Sequence, residues 1–282
     1  MNATTNNTNL NSLYGITFNP FRPDLPTSAL LVPPQVDAFC RRIDFSLRDG
    51  GFALVTGEPG TGKSVALRIL AERLRNQRDI MLGTIDHPQS GVLDFYRELS
   101  DIFGLDMPLR NRWAGFKSLR ARWSDHISST HLRPILLIDE AQEMSDAVFN
   151  ELRILTSKDF DARCLLCVIF AGDRRLLARF RRPELVPLAT RIRRRLEMGY
   201  ATREDLSACL DSLLDAAGNP GLMSTELKTT LAEHAAGNYR VMMNTADELL
   251  AAAADKNLDR LDEKLFFEVF PAPTDPKGRR KR

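Results

Sequence analysis

Apolar residues recur along this chain at two different periods, and the two periods alternate. Val36, Phe39, Ile43 and Leu47 fall at three- and four-residue steps, which predicts a helix starting near Gln35. Residues 52–56 are a short apolar run and predict a buried strand, followed by a helix over 63–75, a strand over 80–85 and a helix over 92–103. The pattern continues with a helix over 113–127, a strand over 135–138, a helix over 146–156 and a strand over 165–170. Strands alternating with amphipathic helices predict parallel βαβ units, an α/β sheet covered on both faces. Beyond about Thr202 no strand pattern is left, and three or four helices, near 203–216, 225–235, 239–255 and 262–269, predict a small all-helical lid. No internal repeat is visible.

The ends read differently from the middle. Residues 1–12 are rich in Asn and Thr, with Leu10 the only large apolar residue after Met1, and are expected to be disordered. Residues 13–34 contain five prolines, which bars a long helix and predicts an extended arm laid over the domain that follows. The expected plan is therefore this arm, an α/β domain over 35–201, the helical lid over 202–270 and a tail over 271–282. At 282 residues and 43% hydrophobic, the chain can bury at least one full core. It has no run of 18 or more apolar residues, and its start has no basic region followed by an apolar one, so neither a membrane span nor a secretory signal is expected and the cytoplasm is the expected location.

Charge changes the picture more than composition does. The net charge is only +2, yet the segment Arg174 to Arg195 holds nine arginines against the single acid Glu184, and the final KGRRKR holds five more basic residues. Basic charge is thus concentrated in two places, which favours a polyanionic partner; a solvated arginine face and a solubilising tail are the alternatives. Cys40, Cys164, Cys167 and Cys209 are irregularly spaced, and Cys164 and Cys167 lie three apart in what reads as one strand, so they point to opposite faces and cannot share a metal. The four histidines are scattered without ligand spacing.

The chemistry sits at two strand ends. Gly57-Glu58-Pro59-Gly60-Thr61-Gly62-Lys63-Ser64 fits G-x-x-x-x-G-K-S/T between a predicted strand and a predicted helix, with Val65 following inside that helix. Glycines there let backbone N–H groups wrap a phosphate, Lys63 reaches the outer phosphates of ATP and Ser64 is placed to ligate Mg2+. Residues 135–138 end in Asp139-Glu140. Asp139 can hold the magnesium through water, and Glu140 can orient and deprotonate an attacking water, which makes ATP hydrolysis the expected reaction.

These residues carry a resemblance. The loop, the LLIDEAQ segment, the strand ending in Ala171-Gly172-Asp173, the arginine cluster and Gly237-Asn-Tyr-Arg240 resemble an AAA+ ATPase in the same order over nearly all of residues 14–260. The closest likeness is to the ExeA-like group, through YGITFNPF, GFALVTGEPGTGKS, ELRILTSKDFDA and AGDRRLLARF. The resemblance implies a five-stranded P-loop core with a helical lid. It implies that Arg240 is a lid arginine sensing ATP, and that Arg191 is the arginine a subunit inserts into its neighbour's site, with Arg193 and Arg194 as rivals and a salt-bridged structural arginine as the alternative. Asp173 stands where relatives carry a neutral Asn or Gln sensing the outer phosphate. A carboxylate there repels phosphate unless a cation or arginine lies between, so slow hydrolysis is expected.

Two functions share the likeness, and a third class, a plain nucleotide-dependent protein-interaction switch or signalling ATPase, stays open beside them. One is similar to TnsC, TniB and MuB, which assemble on DNA with ATP, mark a target and activate a transposase. The other is a secretion-system ATPase, whose members continue into a membrane helix and a wall-binding domain that are not found before Arg282. The expected partners are duplex DNA, bound mostly through its backbone, a transposase and further copies of the chain in a ring or filament, with no membrane. No base-reading module is visible.

Overall fold

The computed structural model describes residues 12–105 and 111–271. The Asn/Thr-rich start up to residue 11 and the basic tail from residue 272 lie outside the described residues. The described chain separates into two compact units, residues 32–199 and residues 200–271 together with the start of the chain up to Leu31.

The first unit begins with α1 (Pro34–Asp49), whose fixed proline φ suits a first turn, and continues with β1 (Gly51–Gly57) and α2 (Lys63–Arg75). Then come β2 (Leu82–Ile85), α3 (Val92–Ile102), α4 (Arg112–Thr130), β3 (Ile135–Ile138) and α5 (Asp146–Thr156). Asn111 caps α4 by accepting from Ala114 N at 2.9 Å, and Ser145 caps α5 from Val148 N at 3.3 Å. The unit closes with β4 (Cys167–Gly172), α6 (Arg174–Arg179), α7 (Val186–Ala189) and β5 (Ile192–Met198).

All five strands are parallel, in the order β2-β3-β4-β1-β5. The register places Leu54 beside Phe170 and Phe170 beside Ile138, so β1, β3 and β4 finish along one edge. Loops leaving the carboxyl ends of a parallel sheet are where such folds place ligands. β3 and β4 are buried on both faces, as expected for a sheet covered on both sides. The core includes Phe149, Phe170 and Phe180 in edge-to-face contacts, and Trp123 edge-on to Phe103 with centroids 5.3 Å apart.

Three expectations from the sequence change. The arginine run Arg193–Arg195 lies in β5, a strand the apolar pattern does not reveal, because its only buried positions are Ile192, Leu196 and Met198 and Arg194 stands between the first two on the same face; its pairing with β1 shifts register between Phe52 and Ala53. Cys164 and Cys167 do not share a strand: Cys164 ends a small antiparallel hairpin (Ser157–Lys158 with Arg163–Cys164), while Cys167 opens β4. Burial pushes the Cys40 and Cys209 thiols up to about 11 and the Cys167 thiol up to about 12, which leaves them protonated and unreactive. The third change concerns the arm.

The arm belongs to the second unit rather than to the α/β domain. That unit contains α8 (Arg203–Ala217), α9 (Thr225–Ala235), α10 (Tyr239–Asp255) and α11 (Glu263–Val269). Tyr14, Ile16 and Phe21 are buried in its core among Leu206, Leu210, Leu249 and Leu265. Thr17 N donates to Ala217 O at 2.8 Å, Asn219 Nδ2 to Tyr14 O at 2.7 Å and Asn19 Nδ2 to Asp247 Oδ1 at 2.7 Å. Thr202 and Asp205 form a reciprocal capping box at the start of α8. No described helix is long and apolar enough to cross a membrane.

Candidate nucleotide-binding site

β1 delivers the chain into the glycine loop at full burial, and α2 opens directly after it. Gly60 and Gly62 take φ of 83° and 95°, a region closed to most side chains, and so turn the backbone sharply just before a helix start, where free N–H groups favour a phosphate. At Gly57 a side chain has no room: a Cβ would lie 2.4 Å from Met198 O on the neighbouring β5 and 2.7 Å from Thr61 Oγ1. Thr61 Oγ1 donates to Glu58 O at 2.8 Å and closes the loop.

Lys63 is 7% exposed, and its Nζ donates to Gly57 O and Glu58 O, each at 3.0 Å, so the ammonium lies along the loop rather than out in water. Ser64, exposed, and Val65 follow in the first turn of α2. Glu58 forms an ion pair with Arg174, and Pro59 completes the loop.

Across the sheet edge, β3 ends in Asp139 and Glu140. Asp139 N donates to Ile85 O at 2.9 Å, extending the ladder one residue past the strand, and Asp139 Oδ1 accepts from Glu140 N at 2.9 Å. Glu140 is exposed and left-handed, at φ 48° and ψ 36°, an uncommon conformation for a residue with a side chain and one that marks functional positions. The hydroxyl of Ser64 and the carboxylate of Asp139 are hard oxygen donors that fit magnesium, and a glycine loop opening a helix beside the Lys63 ammonium fits a polyphosphate.

Two residues that the sequence does not single out tie this site together. Gln142, 6% exposed, donates from Nε2 to Glu140 Oε2 and accepts from Asp173 N through Oε1 at 3.2 Å. Gly172 makes room for it, since a Cβ there would lie 2.5 Å from Gln142 Oε1. Arg179 holds the turn that carries Gln142, donating to Gln142 O at 2.7 Å while paired with Asp146. Arg174, next to Asp173 and paired with Glu58, joins the end of β4 to the phosphate loop. Glu58 is therefore tied to Glu140 through the Arg174 side chain, the peptide bond from Arg174 to Asp173, and Gln142, which bonds Asp173 N and Glu140. The only signal in the sequence is the position of Gln142 two residues after Glu140.

Asp173 has the arginine that the repulsion argument requires. Its carboxylate accepts from Arg175 Nε at 3.2 and 2.9 Å, and Oδ1 also caps α6 through Arg175 N at 2.8 Å. The guanidinium offsets the negative charge at the strand end.

Arg191 lies elsewhere. It precedes Ile192, which pairs with Phe52 at the opening of β1, while the loop follows Gly57 at the other end. Six strand residues at about 3.3 Å each put it about 20 Å from the phosphate loop of its own chain, beyond the reach of a side chain. It pairs with Asp161 and donates to Pro187 O at 2.8 Å. Of the other arginines in the basic segment, Arg174, Arg175, Arg179 and Arg182 also face acids, whereas Arg181, Arg193, Arg194 and Arg195 form no ion pair among the described residues. The basic segment is thus partly neutralised within the fold. Arg240 belongs to the second unit, exposed in the first turn of α10, where its N–H bonds to the capping Asn238 at 3.0 Å.

A family model described as an AAA domain matches residues 46–180. Among curated proteins, general secretion pathway protein A of Aeromonas hydrophila is 29% identical over 246 residues, which cover 85% of this chain and 44% of the relative. The chain thus spans less than half the length of that relative. Among solved structures, Cdc6p from Pyrobaculum aerophilum aligns with a TM-score of 0.68 at 16% identity, over 86% of this chain and 67% of that one. Drosophila ORC bound to DNA aligns at 0.69 and 15% identity, over 92% and 64%. The RuvB Holliday junction branch migration motor of Thermotoga maritima aligns at 0.57 and 16% identity, over 89% and 73%. At these identities the structural likenesses speak for the fold alone.

Proposed function

From a P-loop AAA+ fold with a five-stranded parallel sheet and C-terminal helices, we propose that the chain binds ATP with magnesium, hydrolyses it in oligomers, and acts on duplex DNA as a transposition regulator that selects a target and activates a transposase. The observation that carries the enzymatic part is the set of contacts from Glu58 to Glu140, which links phosphate loop and acid pair into one site.

In this reading the loop N–H groups and Lys63 bind the phosphates. Ser64 and, through water, Asp139 would hold a magnesium ion, which would neutralise charge on the outer phosphates. Glu140 takes a proton from the attacking water as its oxygen adds to the γ-phosphorus and the bond to the bridging oxygen of ADP breaks. Gln142 fixes the carboxylate, and Asp173, with Arg175 balancing its charge, marks the strand end beside it. Hydrogen bonds to charged groups contribute about 1.5–3 kcal/mol, so Gln142→Leu is expected to lower kcat roughly tenfold to a hundredfold with KM for ATP unchanged. Steady-state kinetics check this, and equal losses in kcat and in ATP affinity would place Gln142 in binding rather than positioning.

Arg191 completes the site of a neighbouring copy, since its own site is out of reach, and Arg240 senses ATP from the helical unit. ATP should then promote oligomers, and specific activity should rise with protein concentration. Sedimentation with a nonhydrolysable analogue tests this; a dilute monomer hydrolysing at full rate excludes the trans arginine.

DNA binding is supported by Arg181, Arg193, Arg194 and Arg195, which form no ion pair among the described residues, and by the five basic residues within 277–282. Relatives of the fold include an ORC structure solved on DNA. Affinity for duplex DNA should fall with salt at a log–log slope well above about one, and deletion of residues 277–282 should weaken binding about equally on all sequences. Anisotropy titrations with and without ATP decide. A second reading, a secretion-type ATPase, is favoured by the 29% identity to general secretion pathway protein A. Failure of the ATP-loaded protein to bind DNA at low salt selects it.

A further inference from the structure

The sheet edge opposite the phosphate loop holds a cavity of about 410 Å³. Five guanidinium groups line it, those of Arg133, Arg153, Arg163, Arg191 and Arg193, against only two carboxylates, Asp49 and Asp161. The residues come from five places in the chain: the end of α1, the entry to β3, the last turn of α5, the small hairpin and the start of β5. The excess of positive charge is therefore a product of the fold: the basic run supplies only Arg191 and Arg193, and Arg133, Arg153 and Arg163 come from outside it.

Some of these groups are already satisfied. Arg191 is paired with Asp161, Arg133 Nε donates to Cys164 O at 3.2 Å, and Arg163 faces Asp159 at 3.5 Å. Arg153 is satisfied only in part: the Asp161 carboxylate attracts its charge, but its Nε is buried and has no hydrogen-bond partner. It stands on α5 between the core residues Leu152 and Leu155, so the helix fixes where its stem begins. Arg193, exposed at the register shift of β5, forms no ion pair among the described residues. Guanidinium groups crowded around one space repel each other, and a buried N–H without an acceptor is costly; an anion in the cavity relieves both. Planar guanidinium forks match the oxygens of a phosphate, and the volume suits a small polyanion rather than a single halide.

We propose that this cavity binds a phosphate-bearing anion, as a site separate from the glycine loop. The phosphate can belong to a small molecule such as pyrophosphate or to a nucleic-acid backbone. Only the second source would contribute to the DNA binding proposed above; the first stands if that reading fails.

The test uses the full chain carrying Lys63→Ala, so that the glycine loop does not compete for phosphate. Pyrophosphate is titrated by calorimetry and a duplex DNA by fluorescence anisotropy, each on this background and with Arg153→Gln or Asp49→Asn added. Arg153→Gln removes the unpartnered donor and should weaken binding about tenfold, as expected for loss of one charge-assisted bond. Asp49→Asn removes a carboxylate from the exposed rim and should tighten binding severalfold. These opposite shifts with pyrophosphate identify a small phosphate compound; the same shifts with DNA alone identify the backbone. Should Arg153→Gln fail to fold, the tightening by Asp49→Asn carries the test by itself. If neither probe binds more tightly to the Asp49→Asn protein, the proposal is overturned.

Discussion

Glu140→Gln is expected to bind ATP as tightly as the parent chain and to turn it over roughly 10²- to 10⁴-fold more slowly, the usual contribution of a positioned general base. The substitution keeps shape: a carboxamide oxygen still accepts from Gln142 Nε2, so the left-handed turn at Glu140 and the contact to the end of β4 persist. What disappears is the carboxylate proposed to take the proton. Lys63→Ala should act at the earlier step. It removes the ammonium that lies on Gly57 O and Glu58 O, leaving two loop carbonyls without their donor and the phosphates without their counter-charge, so nucleotide binding itself should be lost. A fluorescent-nucleotide titration and a single-turnover assay on both proteins separate the two steps. Unchanged turnover in Glu140→Gln would remove Glu140 from the chemistry.

The second large effect concerns the frame that holds the site. Trp123 in α4 is fully buried and packs edge-on to Phe103, so Trp123→Ala is expected to destabilise the protein by about 3–5 kcal/mol. Its indole Nε1 is buried without a hydrogen-bond partner. Trp123→Phe therefore removes an unsatisfied donor, worth about 1–3 kcal/mol, together with some packing, and should be far milder than the alanine variant. Denaturant unfolding of the two variants gives the comparison. A phenylalanine as damaging as alanine would mean that Nε1 contributes a bond the protein depends on.

Where the sequence could be read, a clean period met a clear stop. Residues 63–75 and 146–156 fold into helices with the expected ends because an apolar face coincides with a left-handed Gly62 before the first and a capping Ser145 before the second. The strand over 135–138 is equally plain, being four apolar residues ended by two acids. β5 is hidden because three arginines separate Ile192 from Leu196, so the inward position between them, Arg194, carries a charge and the apolar alternation cannot be seen in the sequence. The loop and acid pair could be found by motif, but Gln142 and Arg174 could not: their partners Asp173 and Glu58 are 31 and 116 positions away and meet them only after the sheet has formed. Charge misled for the same reason. The basic segment looked like one patch, yet Arg179 faces Asp146 and Arg191 faces Asp161, carboxylates brought in from elsewhere in the chain.

The arm has a consequence for the order in which the chain acquires its structure. Residues 14–21 leave the ribosome long before residues 206 onward, with which their core is made, and the bond from Thr17 Oγ1 to Ala217 O spans 200 positions. Closing so long a loop is slow compared with the contacts inside residues 32–199. The α/β unit can therefore form during synthesis while Tyr14, Ile16 and Phe21 wait, exposed, for α8 and α10. Until then they are an apolar segment open to a chaperone, and shortening the chain at its beginning should loosen the helices at its end.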